Sequence, residues 1–132
     1  MKLSAEQKEA IKAYLTNAPG NREMLESLLL ATSDGRRVVF SNYTNKQFES
    51  NRLSAMAASL SGLSLTLAES CEKTGTVGGI VETEDGLIIS GLITAEAQDY
   101  VLLGIFCKGI QHGMALWNFK NHQLEFKKLL SK

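Results

Sequence analysis

A chain of 132 residues, 44% apolar and 21% charged, has the composition of a folded domain rather than a disordered segment. Fourteen basic residues balance fourteen acidic ones, which excludes the basic excess of a dedicated nucleic-acid or membrane-surface binder. Two units within this length would each sit near the lower limit for a self-sufficient core, so one domain is expected over 1–132, with its core at about 5–130.

Residues 1–10 are charged and polar, with no apolar h-region, so a cytoplasmic chain without a secretory signal is expected. Ser4-Ala5-Glu6-Gln7 has the form of a capping box, in which the Ser4 hydroxyl accepts from the Gln7 N–H and the Gln7 side chain reaches back. Ile11, Tyr14 and Leu15 follow at helical spacing, with Leu3 as a staple, and predict a helix over 5–17 that Asn17-Ala18-Pro19-Gly20 ends. Residues 28–32 and 37–41 are short apolar runs around Ser33-Asp34-Gly35 and predict a β-hairpin. A long helix is expected over 48–73. The charge-free run 53–68 within it is too short and too rich in hydroxyls to span a bilayer. Strands over 76–83, 87–93 and 99–107 follow, the first two joined by Glu84-Asp85-Gly86. Leu87-Ile88-Ile89 and the run from Tyr100 to Phe106 do not alternate with polar residues, so their sheet is buried on both faces and carries helices on both sides. A last helix over 109–131 has a weak middle at 118–123, where a break is expected to be tolerated. The order is α-β-β-α-β-β-β-α, an α+β domain with a mostly antiparallel sheet.

The middle helix has two uncharged faces. Leu53, Met56, Ala57, Leu60, Leu63, Leu67 and Cys71 form an apolar stripe expected to face the sheet. The opposite face holds Ser54, Ala55, Ala58, Ser59, Ser61, Gly62, Leu65 and Thr66. Exposed faces of long helices normally carry Lys and Glu, so this second face is expected to be covered by another chain that its small residues let approach closely. Gly78-Gly79 weakens the next strand but admits a neighbouring backbone, and as a sheet edge that strand could pair with its own copy. The expected dimer or partner interface is therefore Ser54, Ala55, Ala58, Ser61, Gly62, Leu65, Val77, Gly78, Gly79 and Ile80. Ala58→Glu with Gly62→Glu is expected to disrupt it.

Signals for catalysis are weak. The stretch 75–79 is glycine-rich but lacks the Lys-Ser/Thr ending of a phosphate loop and leads into a strand rather than a helix. His112 and His122 on one helix would lie about 15 Å apart, too far to share a metal, and are expected to be ordinary, partly exposed histidines. Cys71 and Cys107 are expected to be reduced and buried. Glu82, Glu84 and Asp85 suit a solvated hairpin end. Trp117 and Phe119 cannot share a helical face, so one belongs to the core and the other is a candidate anchor for a partner. No catalytic residue, metal or cofactor is expected.

Three pieces in this order carry a resemblance: Leu29-Leu30-Ala31-Thr32-Ser33-Asp34-Gly35, then Arg52-Leu53-Ser54-Ala55-Met56-Ala57-Ala58-Ser59-Leu60, then Ile80-Val81-Glu82-Thr83-Glu84-Asp85-Gly86. With the apolar strand at 100–107 and Gly113 at the start of the last helix, the chain resembles the roadblock / dynein-light-chain family. The resemblance implies a profilin-like, five-stranded antiparallel sheet with one helix on one face and the two terminal helices on the other. It implies a homodimer built by the middle helix and the strand after it, giving a ten-stranded sheet. It also implies a non-enzymatic role as regulator or scaffold of a small Ras-like GTPase. Neither nucleic-acid binding nor membrane insertion is expected. The alternatives are a small-ligand sensor with a cavity between sheet and helix, and a general adaptor with no GTPase partner. An enzyme is a distant third.

Overall fold

The computed structural model describes residues 3–17, 24–76, 78–96 and 98–131. Helix α1, Ala5–Asn17, begins at the capping box: the Ser4 N–H donates to Gln7 Oε1 at 2.9 Å and the Gln7 N–H to Ser4 Oγ at 3.1 Å. The residues expected to end it, Ala18 to Gly20, lie outside the described residues. Strands β1, Leu25–Thr32, and β2, Arg37–Asn42, form the hairpin around Asp34-Gly35. Helix α2 is Ser50–Ser70. Strands β3, Gly79–Thr83, β4, Gly86–Thr94, and β5, Asp99–Cys107, follow, and α3 is His112–Leu130.

Every pairing in the sheet is antiparallel, in the order β2-β1-β5-β4-β3. Thus β1, β5 and β4 lie inside the sheet, while β2 and β3 are its edges. Helices α1 and α3 share one face, where Ile11, Leu15, Phe119, Phe126 and Leu130 pack on Leu28, Leu30, Ile89, Leu102 and Phe106. Helix α2 covers the other face, over Leu29, Val101 and Leu103. This is the α+β arrangement expected, with helices on both sides of continuous apolar strands.

Strand β1 and helix α3 differ from the pattern in the sequence. Strand β1 starts three residues earlier than its apolar run because Glu26 and Ser27, both buried, are satisfied by partners: Lys46 Nζ donates to Glu26 Oε1 at 2.8 Å and Ser27 Oγ to Asn42 Oδ1 at 3.2 Å. Helix α3 runs unbroken through 118–123. Asn118 and His122 there face inward, and Tyr14 of α1 hydrogen-bonds His122 Nδ1 and sets its ring edge-on to Phe126 at 5.2 Å between centroids. Tertiary contact overrides weak helix propensity. His122 is therefore buried between α1 and α3, while His112 is exposed, so the expectation of two partly exposed histidines fails for His122.

Candidate interaction surface

Helix α2 lies on the sheet turned by about 90° from the orientation hydropathy predicts. Its buried residues are Ser50, Ser54, Ala57 and Ser61. Met56, Leu63 and Leu67 are 58%, 66% and 63% exposed, and Cys71, expected in the core, is exposed too. At about 100° per residue the buried and exposed sets are centred roughly 130° apart. The cause lies in how the hydroxyls are satisfied. Ser54 Oγ donates to the Ser50 carbonyl at 2.8 Å, and Ser64 Oγ to the Leu60 carbonyl at 2.8 Å. Ser61 Oγ meets Ser90 Oγ at 2.6 Å, and Ser90 Oγ donates to the Ala57 carbonyl at 3.1 Å. A serine whose proton is placed on the preceding turn behaves as a small residue and is buried at little cost. The sheet below already supplies large side chains, Leu29, Val101 and Leu103, with Phe40, Ile88 and Ile105 around them. The serine and alanine face fits close over them, and that leaves the leucines outside.

The expected interface residues therefore divide. Ser54 and Ser61 are buried inside the protomer, and Ala58 and Leu65 are half-buried, with Ala58 packed on the sheet cluster. Ala55 and Gly62 stay on the outward side of α2, with Arg52, Ser59 and Thr66. Gly78 and Gly79 do admit a close backbone, but it belongs to the same chain. A Cβ on Gly78 would strike the Ser90 carbonyl of β4, and one on Gly79 would strike the Ser64 hydroxyl of α2. Val77 lies outside the described residues. Ile80 is exposed on the edge strand, as is Val81. Ala58→Glu would probe the protomer's own packing as much as any seam.

The missed residues are the leucines. Leu63 and Leu67, with Leu60, Ala68 and the start of β3 from Gly78 to Ile80, line an open groove of about 520 Å³ between α2 and β3. β3 pairs with β4 without a register shift, and the register puts Val81 on the face of Ile88, under α2, and Ile80 on the face of Ile89, toward α3. The outer side of β3 is a regular, unpaired edge with apolar side chains on both faces. Their signal in the sequence was the same stripe, assigned to the wrong neighbour.

The remaining chemistry is structural. Among the described residues no group of His, Cys, Asp and Glu could hold a metal ion. Burial pushes the Cys107 thiol up from its ordinary value, with the Glu26 carboxylate adding to it, which opposes thiolate chemistry. Glu82, Glu84 and Asp85 are exposed at the β3–β4 turn. The buried polar residues Ser54, Ser61, Ser90, Glu26 and His122 all bond within the fold. No described helix is long and apolar enough to cross a membrane.

Solved structures share this architecture. The chain superposes on Myxococcus xanthus MglB with a TM-score of 0.74 at 15% identity, covering 96% of this chain and 97% of that one. An MglB in a tetrameric arrangement gives 0.77 at 14% identity, covering 98% and 93%. A Roadblock/LC7 domain from Streptomyces avermitilis gives 0.67 at 13% identity, covering 90% and 92%. No family model matches the sequence, and no curated protein matches it. The chain has the roadblock-type fold.

Proposed function

We propose that this roadblock-type domain is a non-enzymatic, homodimeric interaction module that binds a small Ras-like GTPase and regulates or scaffolds it. The observation that carries the dimer is one corner of the molecule, where the exposed leucine stripe of α2 flanks the unpaired edge of β3. A two-fold axis beside β3 pairs that strand with its copy and continues the sheet to ten strands. The same axis brings Met56, Leu63 and Leu67 against the partner's α2. A stable seam of this kind buries on the order of 800 Å² per protomer. The similarity in fold to MglB supports it, since one MglB is in a tetrameric arrangement. The outward side of α2, with Arg52, Ala55, Ser59, Gly62 and Thr66, stays open after pairing. Two copies of it across the axis form the platform for the GTPase. Regulation there would act by positioning the GTPase's own catalytic groups or by supplying Arg52 in trans.

Sedimentation of the intact chain tests the seam. The parent sediments as a dimer at micromolar concentration, and Leu63→Glu with Leu67→Glu yields a folded monomer, because both side chains are already two-thirds exposed in the protomer. A parent that sediments as a monomer, or a double variant that stays dimeric, rejects this seam. Pull-down with a Ras-like GTPase loaded with GDP or a GTP analogue tests the partner. Retention in one nucleotide state supports the function, and no retention in either state rejects it.

A further inference from the structure

The outward face of α3 carries an apolar stripe that neither the core nor the α2–β3 corner uses. Phe119 is 1% exposed and Trp117 is 64% exposed, so of these two aromatics Phe119 is core and Trp117 is on the surface. Met114 and Leu124 are exposed on the same side as Trp117. At about 100° per residue the three fall within roughly 80° of arc, opposite Ala115, Phe119 and Phe126, and run about 15 Å along the helix.

The charges along one border of this stripe have one sign. Lys120 and Lys127 lie along that border, Lys128 continues the stripe one turn beyond Leu124, and the only carboxylate in the α3 sequence, Glu125 on the other border, is paired with Lys128 at 3.3 Å. Lys120 and Lys127 have no ion pair among the described residues. Beside Leu124, an open groove of about 380 Å³ runs between α3 and the end of β4, lined by Leu92, Thr94 and Gln123 and by both unpaired lysines. The Gln123 side chain donates to the Leu92 carbonyl at 3.1 Å and fixes one wall.

We propose that this face docks an acidic amphipathic helix of a partner protein. The partner's apolar side lies along Met114, Trp117 and Leu124, one of its side chains enters the groove beside Leu124, and its Asp or Glu residues face Lys120 and Lys127. An exposed tryptophan amid apolar neighbours is the kind of side chain that anchors such contacts. A second copy of this chain fits poorly, because an isologous α3–α3 contact would set the lysine rows against each other. A bilayer offers no single side chain to fill the groove. The inference rests on α3 alone and stands whether or not the α2–β3 corner dimerises.

Trp117 is the single tryptophan in the chain, so its fluorescence reports this face without background. The probe is a synthetic helix of roughly four turns with Leu on one face and Glu on both flanks. Titrating it into the intact protein is expected to shift Trp117 emission to the blue and shield it from acrylamide. The same peptide with Lys in place of Glu should produce neither effect. Lys120→Glu with Lys127→Glu should weaken the acidic peptide about tenfold and admit the basic one. No shift with the acidic peptide, or an equal shift with the basic one, overturns the proposal. So does a shift produced by phosphatidylcholine–phosphatidylglycerol vesicles in place of the peptide, or by raising the protein concentration alone.

Discussion

The two sides of the sheet are built to different degrees of completion. On the α1–α3 side, Phe106, Phe119, Phe126, Leu28, Leu30 and Leu102 are all buried within one chain, and two helices close over them. On the α2 side the deeply buried residues are fewer and smaller, with Ala57 the fully buried apolar residue of the helix and Leu53 and Leu60 only half covered. The apolar residues that would complete this layer are present but lie outside it, as Met56, Leu63 and Leu67. The two edges differ in the same sense. β2 is blunted: Leu30 and Ala31 pair with Val39 and Arg37, so Val38 is left out of the ladder as a bulge, with Arg36 and Arg37 just before it. β3 has no bulge. The unfinished layer and the unblunted edge meet at one corner, and that coincidence is the ground for the seam proposed above.

The largest effect should come from the finished side. Phe126→Ala removes a fully buried ring that touches Tyr14 and is expected to cost about 3–5 kcal/mol in urea unfolding. That loss should be the same at low and high protein concentration relative to the parent. The Leu63→Glu, Leu67→Glu variant should instead lose the concentration dependence while its protomer stays folded. A Phe126→Ala protein of nearly parental stability would break the contrast between the two sides.

The fold was legible because each of its signals is local. The Ser4–Gln7 box, the Asp34-Gly35 turn and the uninterrupted strand at 99–107 depend on residues near one another in the chain, and each appears where its pattern places it. The candidate surface was legible only in part, because hydropathy counts a serine as polar whether or not its hydroxyl is bonded to the preceding turn. Ser54 and Ser61 therefore point toward a second chain in the pattern and toward the protomer's own sheet in the fold. The signal in α2 was that residues 53–68 carry no charge on any side, so charge does not tell which side the chain's own sheet covers. Gly78 and Gly79 are similar: the pattern reveals a close backbone approach, and only the three-dimensional contacts show that Ser90 and Ser64 make it.

A smaller effect tests that account of the serines. Ser90 is fully buried and stands between Ser61 Oγ and the Ala57 carbonyl. Ser90→Ala leaves the Ser61 hydroxyl to find another acceptor and is expected to cost about 1–2 kcal/mol. Adding Ser61→Ala should recover most of that, since removing both partners leaves no buried group unpaired. Thermodynamic coupling near zero in this double-mutant cycle would mean that the small-residue face sits down for reasons of shape alone.

The smallest effect separates the two sides by pH. Asp34 lies in the β1–β2 turn, where the Thr32 hydroxyl and then Arg36, 3.3 Å away, hold its carboxyl below its ordinary value of 3.8. A depressed folded-state value means that the stabilising contribution is complete above pH 3.8 and fades as the pH falls through the lower folded value. The carboxylate is well exposed, so the effect is local rather than global. Its reach is nevertheless directional. Gly35 follows Asp34, and a Cβ there would meet the Ala55 Cα of α2 at 3.2 Å, so the turn forms part of the seat of that helix. Hydrogen exchange measured while acidifying below pH 3.8 should show the Gly35 N–H, bonded to the Thr32 carbonyl at 3.0 Å, losing protection before the α3 amides do. Asp34→Asn should flatten that dependence, because an amide carries no charge to lose. Simultaneous loosening of both sides, or an unchanged profile in the variant, would show that the turn does not help to seat α2.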